Sequence, residues 1–300
     1  DTGKPISLAR DVDAARSVAN FRFFAEQVRE LEVERFEMAD ASNHVIMQPV
    51  GVAGLITPWN LPLYLLSWKI APAIAMGNTV VAKPSELTPL TADLLARTLM
   101  DIGLPAGVVN IVHGYGHEAG QALTEHPDTR IISFTGGTAT GKIVASTAAP
   151  MFKKLSLELG GKNSTIVFAD ADMEKTVSGV ARAGLLNQGQ VCLCGSRILV
   201  ESSIYDQFLA DLCEHIEAMK LGDPSDEGTE LGSLVSKEHR SKVESFIQIA
   251  KDEGGVICTG GKRPDFEDGA FLEPTVISGL DIDSTCSTEE IFGPVVVVHP

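Results

Sequence analysis

Cys192 lies in the run Asn187-Gln188-Gly189-Gln190-Val191-Cys192-Leu193-Cys194, and thirty-four residues earlier Glu158 lies in Leu157-Glu158-Leu159-Gly160-Gly161-Lys162. A cysteine attacks a carbonyl as its thiolate, and a carboxylate can then draw a proton from water to release the acyl group. Pro58-Trp59-Asn60 adds a third piece, a side-chain amide able to donate to an oxyanion. Each has a plainer reading alone. A lone cysteine is most often an inert buried hydrophobe, a lone glutamate a solvated charge, and Asn60 a cap for the helix that follows. Together they are the parts that thioester chemistry needs. Cys194 reads as a neighbouring thiol without a catalytic task. In extended chain it points away from Cys192. A Cys-x-Cys metal site would need further ligands, so no metal is expected.

Three more runs stand out. Lys83-Pro84-Ser85-Glu86 follows an apolar run and offers a cation and a carboxylate. Phe134-Thr135-Gly136-Gly137-Thr138-Ala139-Thr140-Gly141 reads as a strand-to-helix turn of the sort that receives phosphate, though it is not the Gly-x-Gly-x-x-Gly fingerprint. Glu289-Glu290-Ile291-Phe292-Gly293-Pro294 is an acidic turn before the apolar run Val295–Val298.

The elements that must position these residues follow from hydrophobic spacing. Residues 11–30 have helical periodicity, and Arg16 and Asn20 fall one turn apart on it. Asp40-Ala41-Ser42-Asn43 reads as a hairpin turn, with Val45-Ile46-Met47 as the return strand. From residue 51 strands and helices alternate. Strands are expected at 51–56, 78–82, 108–112 and 131–134. Helices are expected after Pro62, from Thr88-Pro89 to about 102, at 117–125 and at 138–148. Such alternation builds a parallel sheet covered on both faces, with ligands beyond the carboxyl ends of the strands. Trp59-Asn60, Lys83 and Gly136-Gly137 all fall at those ends. The second half repeats the alternation, with strands at 164–168, 197–200 and 255–258 and helices at 172–186, 204–219 and 236–253. Cys192 then lies on a loop before a strand.

Composition limits the partners. The 300 residues suit about two domains. A 44% hydrophobic share supports real cores, and a net charge of −16 argues against nucleic acid or an anionic membrane. Five cysteines at irregular spacing do not suggest a disulfide framework, so a reducing, cytoplasmic setting is expected. No apolar stretch is long enough to span a bilayer. The chain starts Asp1-Thr2-Gly3 without an initiator methionine, which reads as a piece of a longer protein.

Taken together, these runs resemble the aldehyde dehydrogenase superfamily over essentially the whole chain. Arg16-Ser17-Val18-Ala19-Asn20-Phe21-Arg22-Phe23-Phe24, Cys192-Leu193-Cys194 and Cys286-Ser287-Thr288-Glu289-Glu290 are similar to the branch that acts on acidic semialdehydes. The resemblance implies an α/β fold. A Rossmann-like NAD-binding domain takes residues 1–32 and 50–159, an oligomerisation hairpin 33–49, and an α/β catalytic domain 160–300. Both ends of the family chain would be missing, and the full-length protein would be a homodimer or homotetramer. The resemblance makes Cys192 the nucleophile and Glu158 the base. Asn60 forms the oxyanion hole with the Cys192 backbone N–H. It assigns Ile56, Thr57, Trp59, Lys83, Glu86, Gly136, Gly137, Glu290 and Phe292 to NAD. Lys83 and Glu86 go to the adenosine ribose, a placement that favours NAD over NADP, and Glu290 to the nicotinamide ribose. Many family members have Ser where Gly137 stands. Arg16 would face a carboxylate on the small-molecule aldehyde. Other aldehydes, such as betaine aldehyde, a retinoid or hydroxymuconic semialdehyde, and a non-catalytic relative that kept the fold, are the alternatives.

Overall fold

The computed structural model describes residues 1–300. The chain divides into two compact units, Asp1 with Arg10–Leu159, and Thr2–Ala9 with Gly160–Pro300. A short turn, α1 (Ile6–Leu8), runs through a π-helical stretch, Ala9–Ala14, into α2 (Ala15–Arg29). An antiparallel hairpin, β1 (Glu34–Glu37) and β2 (Ser42–Val45), follows. Its return strand starts earlier than the sequence suggests. Met38 N–H bonds to Ala41 carbonyl oxygen and closes the turn at 38–41, so Ser42 and Asn43 are already in the strand.

The first unit continues with β3 (Val52–Ile56), α3 (Pro62–Ala75), β4 (Thr79–Lys83), α4 (Leu90–Asp101), β5 (Val109–Ile111), α5 (Gln121–Glu125), β6 (Thr129–Thr135), α6 (Thr138–Ala148) and β7 (Lys154–Glu158). The strand order is β5-β4-β3-β6-β7, and every pairing is parallel. Strand alternation sorts side chains onto two faces. Ala53, Leu55, Val80 and Ala82 pack against Leu66 and Ile70 of α3 and Ala92 of α4. Ile56, Ile132 and Phe134 pack with Leu123 of α5 and Val144 of α6. The chain winds from β3 outward to β5 and then returns to β6 on the other side of β3. The sheet therefore reverses between β3 and β6, where open α/β sheets bind ligands.

The second unit holds β8 (Ser164–Val167), α7 (Met173–Leu185), β9 (Arg197–Val200), α8 (Tyr205–Glu217), α9 (Lys237–Asp252), β10 (Val256–Thr259), β11 (Thr275–Ser278), α10 (Thr285–Thr288) and β12 (Val295–His299). Its order is β10-β11-β12-β9-β8, with only β10 antiparallel to its neighbour. Val296 and Val298 face the core under α7 and α8, while Val295 and Val297 face the core under α9. The strand β12 is buried along its whole length, which is why it reads as an uninterrupted apolar run. No helix is long and apolar enough to cross a membrane.

Candidate active site

In the first unit the strand ends bring several of the expected residues to one edge. Ile56 pairs in register with Lys83 on one side and Phe134 on the other, and Thr135 pairs with Glu158. Thr57 N–H bonds to Lys83 carbonyl oxygen, and Gly136 N–H to that of Glu158. Thr57 and Lys83 are buried and Glu158 is exposed. The hydroxyl of Thr57 is buried without a hydrogen-bond partner.

Asn60 is buried and does not cap α3. The N-cap is Leu61, and the free amide of Tyr64 in the first turn is taken by Asp13 Oδ1 at 2.6 Å. Asp13 thus fills the capping role that the sequence position of Asn60 suggests. The same substitution of a distant carboxylate for a local cap occurs at α4. There Asp1 Oδ2 accepts from Leu90 and Thr91 N–H, at 2.9 and 3.3 Å, and the N-cap Pro89 offers no side-chain cap.

Lys83 Nζ lies 2.8 Å from Glu86 Oε2. Burial pushes the Glu86 carboxyl up, but the hydrogen bond and charge of Lys83 outweigh it, leaving the carboxyl below its usual value. Gly136 is held against the Phe134 ring, where a Cβ would lie 2.6 Å from Cζ. Gly137 is the extended N-cap of α6 at φ −67°, and nothing lies within 4 Å of where its Cβ would be. A serine fits there, so the departure from the family pattern is not enforced by space. A Cβ on Gly141 would overlap Leu159, so α6 packs directly on the residue after Glu158.

Sequence reasoning missed Lys69. Its Nζ donates to Ser133 Oγ at 2.7 Å, and burial lowers its pKa to about 8, partly offset by the negative charge of Glu158. The residue sits inside an apolar helix, where a single buried lysine is unusual. That was the available signal.

Arg16 is exposed on α2. Asn20, one turn on, is buried and donates to Ser67 Oγ at 2.9 Å and Tyr64 carbonyl oxygen at 3.2 Å. The pair thus has divided tasks, with Asn20 locking α2 to α3 and Arg16 left on the surface. Phe24 stacks edge-on against Trp68, which meets Tyr64 in the same way.

In the second unit, three loops precede the parallel strands β8, β9 and β12. They carry Gly160–Asn163, Gln190–Ser196 and Glu289–Pro294. Cys192 is partly buried in the second. Its carbonyl oxygen accepts from Asn163 Nδ2 at 2.7 Å. The segment is not extended, because Cys194 N–H bonds back to Val191 carbonyl oxygen and closes a turn. Cys194 is buried, and burial pushes its thiol up to about 12. A thiol so placed is a poor nucleophile, while Cys192 is only partly buried.

Asn187, Gln188 and Gly189 all have positive φ, as does Phe292. Such values at bulky residues mark strain held by the surroundings. Asn187 Nδ2 donates to Gln190 carbonyl oxygen, Gln188 Nε2 to Ser233 carbonyl oxygen, and Gln190 Oε1 accepts from Val235 N–H. The Phe292 carbonyl oxygen lies 2.7 Å from His239 Nε2, and its ring meets His239 edge-on. His239 was not found from sequence, where only the Ser236 cap of α9 marks the position.

Glu290 is half-buried, and burial pushes its carboxyl up. Gly161 N–H donates to that carboxylate, and a Cβ on Gly160 would overlap it. No group of three or more His, Cys, Asp or Glu could hold a metal ion.

The model of the aldehyde dehydrogenase family matches residues 1–300. The chain is 51% identical over 308 residues to 2-aminomuconic semialdehyde dehydrogenase of Danio rerio, covering 100% of this chain and 63% of that protein. It is 47% identical over 310 residues to 2-hydroxymuconic semialdehyde dehydrogenase of Pseudomonas sp. (strain CF600), covering 100% and 64%. It superposes on the NAD+ complex of an aldehyde dehydrogenase from Bacillus cereus with a TM-score of 0.97 and 41% identity, covering 100% of this chain and 61% of that one. The fold is that of the aldehyde dehydrogenases, and this chain spans less than two thirds of the length of these relatives.

Proposed function

The chain belongs to the aldehyde dehydrogenase family, and from that premise we propose that the whole protein oxidises an aldehyde to its carboxylic acid, with NAD as cofactor, through a thioester on Cys192. The observation that carries this reading is the alignment of strand ends in the first unit. Thr57, Lys83, Gly136 and Glu158 follow or close strands paired in register at the edge where the sheet reverses.

The residues present fit the cofactor. Lys83 with Glu86 offers a charged pair for ribose hydroxyls, and the unpartnered Thr57 hydroxyl and Glu290 Oε1 are buried polar atoms that await a ligand. Open space beside Gly137 at the start of α6 suits a pyrophosphate. Ile56, Thr57, Trp59, Lys83, Glu86, Gly136, Gly137, Glu290 and Phe292 would hold NAD. When bound, NAD supplies the hydride acceptor.

Cys192 adds as thiolate to the aldehyde carbon. The Asn60 amide and the Cys192 backbone N–H stabilise the resulting oxyanion, a donor role worth about 3 kcal/mol per group. Loss of hydride leaves a thioester on Cys192. Glu158 then takes a proton from water, the water oxygen attacks the acyl carbon, the C–S bond breaks and the acid departs. An acidic semialdehyde, such as 2-aminomuconate semialdehyde, is the substrate we favour. The names of the similar proteins and the exposed Arg16 support it. The fully exposed hairpin β1–β2, with Phe36, Met38 and Val45 turned outward, supports a homo-oligomer, and five free thiols support a reducing, cytoplasmic setting.

The test uses full-length protein. Cys192→Ala is expected to abolish NADH formation. Glu158→Gln is expected to complete one oxidation and stall as a thioester, seen as an acyl adduct by intact-mass spectrometry. Steady wild-type turnover in either variant would overturn the assignment.

A further inference from the structure

Glu290 sits in a cradle made by three consecutive residues. Gly160 supplies clearance, since any Cβ there would overlap the carboxylate, and Gly161 supplies a backbone N–H to it. The next residue, Lys162, has its Nζ buried with no hydrogen-bond partner, and Glu290 Oε1 is likewise buried and unpartnered. A buried ammonium without an acceptor is unfavourable, so a lysine held there stands out as a functional group. Burial lowers Lys162 to about 8 and pushes Glu290 up, while each charge pulls the other back toward ionisation. Other groups also bear on the Lys162 ammonium, Cys286 more strongly than Glu290. Arg197 opposes it, and only the thiols of Cys286 and Cys194 and the carboxylate of Glu290 support it.

We propose that Lys162 is the positioning residue for Glu290, keeping that carboxylate turned toward the ribose hydroxyls of a bound nicotinamide nucleotide. This rests on the proposed NAD site, with Glu290 at the nicotinamide ribose as the family resemblance implies. Lys242 favours the charged form of Glu290 more strongly than Lys162 does. It is exposed on α9, so salt screens it, whereas the buried Lys162 is screened far less. The tripeptide Gly160-Gly161-Lys162 then acts as one device, with space, a hydrogen bond and a counter-charge in successive residues.

The experiment compares full-length wild type with Lys162→Met, Lys162→Arg, Glu290→Gln, Lys162→Met/Glu290→Gln and Lys242→Met. NAD affinity is measured by titration calorimetry, alongside KM for NAD, kcat and Tm. Lys162→Met is expected to weaken NAD about ten-fold with a smaller change in kcat. Its Tm is expected to hold or rise, because an unpartnered buried cation has gone. Lys162→Arg is expected to keep most of the affinity and Lys242→Met nearly all of it. The double variant is expected to bind NAD no more weakly than Glu290→Gln alone, because Lys162 acts through Glu290. Wild-type affinity in Lys162→Met, or losses that simply add in the double variant, would overturn the positioning role while leaving the ribose assignment standing. Wild-type affinity in Glu290→Gln would instead overturn the ribose assignment, and the positioning role with it.

Discussion

Gly189 and Gly293 approach so closely that a Cβ on Gly189 would overlap the carbonyl oxygen of Gly293. The contact is backbone on backbone, and Gly189 also has φ +67°. It joins the loop before Cys192 to the loop after Glu290. The glycine in Gly-Gln-Val-Cys is therefore required by both conformation and space. Gly189→Ala is expected to destabilise the protein by roughly 1–3 kcal/mol or more, seen as a lower Tm. It is also expected to change the rate at which iodoacetamide labels Cys192. Gly179, exposed in α7 with open space around it, is the control. Gly179→Ala is expected to be neutral or stabilising by about 0.5–1 kcal/mol. Equal Tm values for the two variants would show that the approach of Gly189 to Gly293 carries no constraint.

The ribose site proposed for Lys83 and Glu86 bears on cofactor choice. A carboxylate placed there attracts ribose hydroxyls and repels a 2′-phosphate. Replacing it leaves the buried Lys83 ammonium without its 2.8 Å partner and free to meet a phosphate. Glu86→Gln is expected to narrow the NAD-over-NADP ratio of kcat/KM by about ten-fold. A wild-type preference for NADP, or a ratio unmoved by the substitution, would remove Glu86 from the ribose.

Most strands and helices were legible because their apolar residues follow a period of two or 3.6. α6 was expected at 138–148 and is found at Thr138–Ala148. Two strands were not read. β7 is an edge strand whose residues are mostly exposed, and although Lys154-Leu155-Ser156-Leu157-Glu158 alternates polar and apolar with a period of two, its two leucines are too few to stand out. β11 is only four residues long and follows a loop with several glycines and prolines. Motif residues were legible through their glycine and carboxylate contexts. Their supports were not, because each acts across a long stretch of sequence. Asp13 reaches Tyr64, Lys69 reaches Ser133 and His239 reaches Phe292. A local reading assigns the cap of α3 to Asn60 because it cannot see Asp13.

Arg16 tests the substrate. It is exposed, while Asn20 on the next turn holds α2 to α3 through Ser67. Arg16→Ala therefore removes charge without removing the helix contact. If the aldehyde carries a distal carboxylate gripped by this guanidinium, KM for a dicarboxylic semialdehyde is expected to rise about ten- to a hundred-fold. A neutral aliphatic aldehyde is expected to be nearly unaffected. Equal losses for both substrates would make Arg16 structural. Asn20→Ala is the contrasting variant, expected to lower Tm whichever aldehyde is used.

The buried Lys69 predicts a pH signature of stability with a definite sign. Its folded pKa is lowered to about 8 from the model-peptide 10.5. Below about 8 both folded and unfolded chains carry the proton. Between about 8 and 10.5 the unfolded chain holds it and the folded chain has released it. The unfolded state then binds more protons, so this group makes the protein more stable as pH rises through that window. The slope is at most about 1.4 kcal/mol per pH unit. Buried Cys194 acts oppositely, since its thiol is pushed up from 9.0 to about 12 and its contribution falls as pH rises above about 9. The wild-type profile alone therefore mixes the two. The difference between wild type and Lys69→Met isolates the lysine, because Cys194 and Lys162 remain in both. Urea unfolding from pH 7.5 to 9.5 is expected to show wild type gaining on Lys69→Met by about 1–2 kcal/mol. A difference that stays flat with pH would mean that Lys69 remains fully protonated in the folded protein, with the Ser133 hydrogen bond and the charge of Glu158 outweighing its burial.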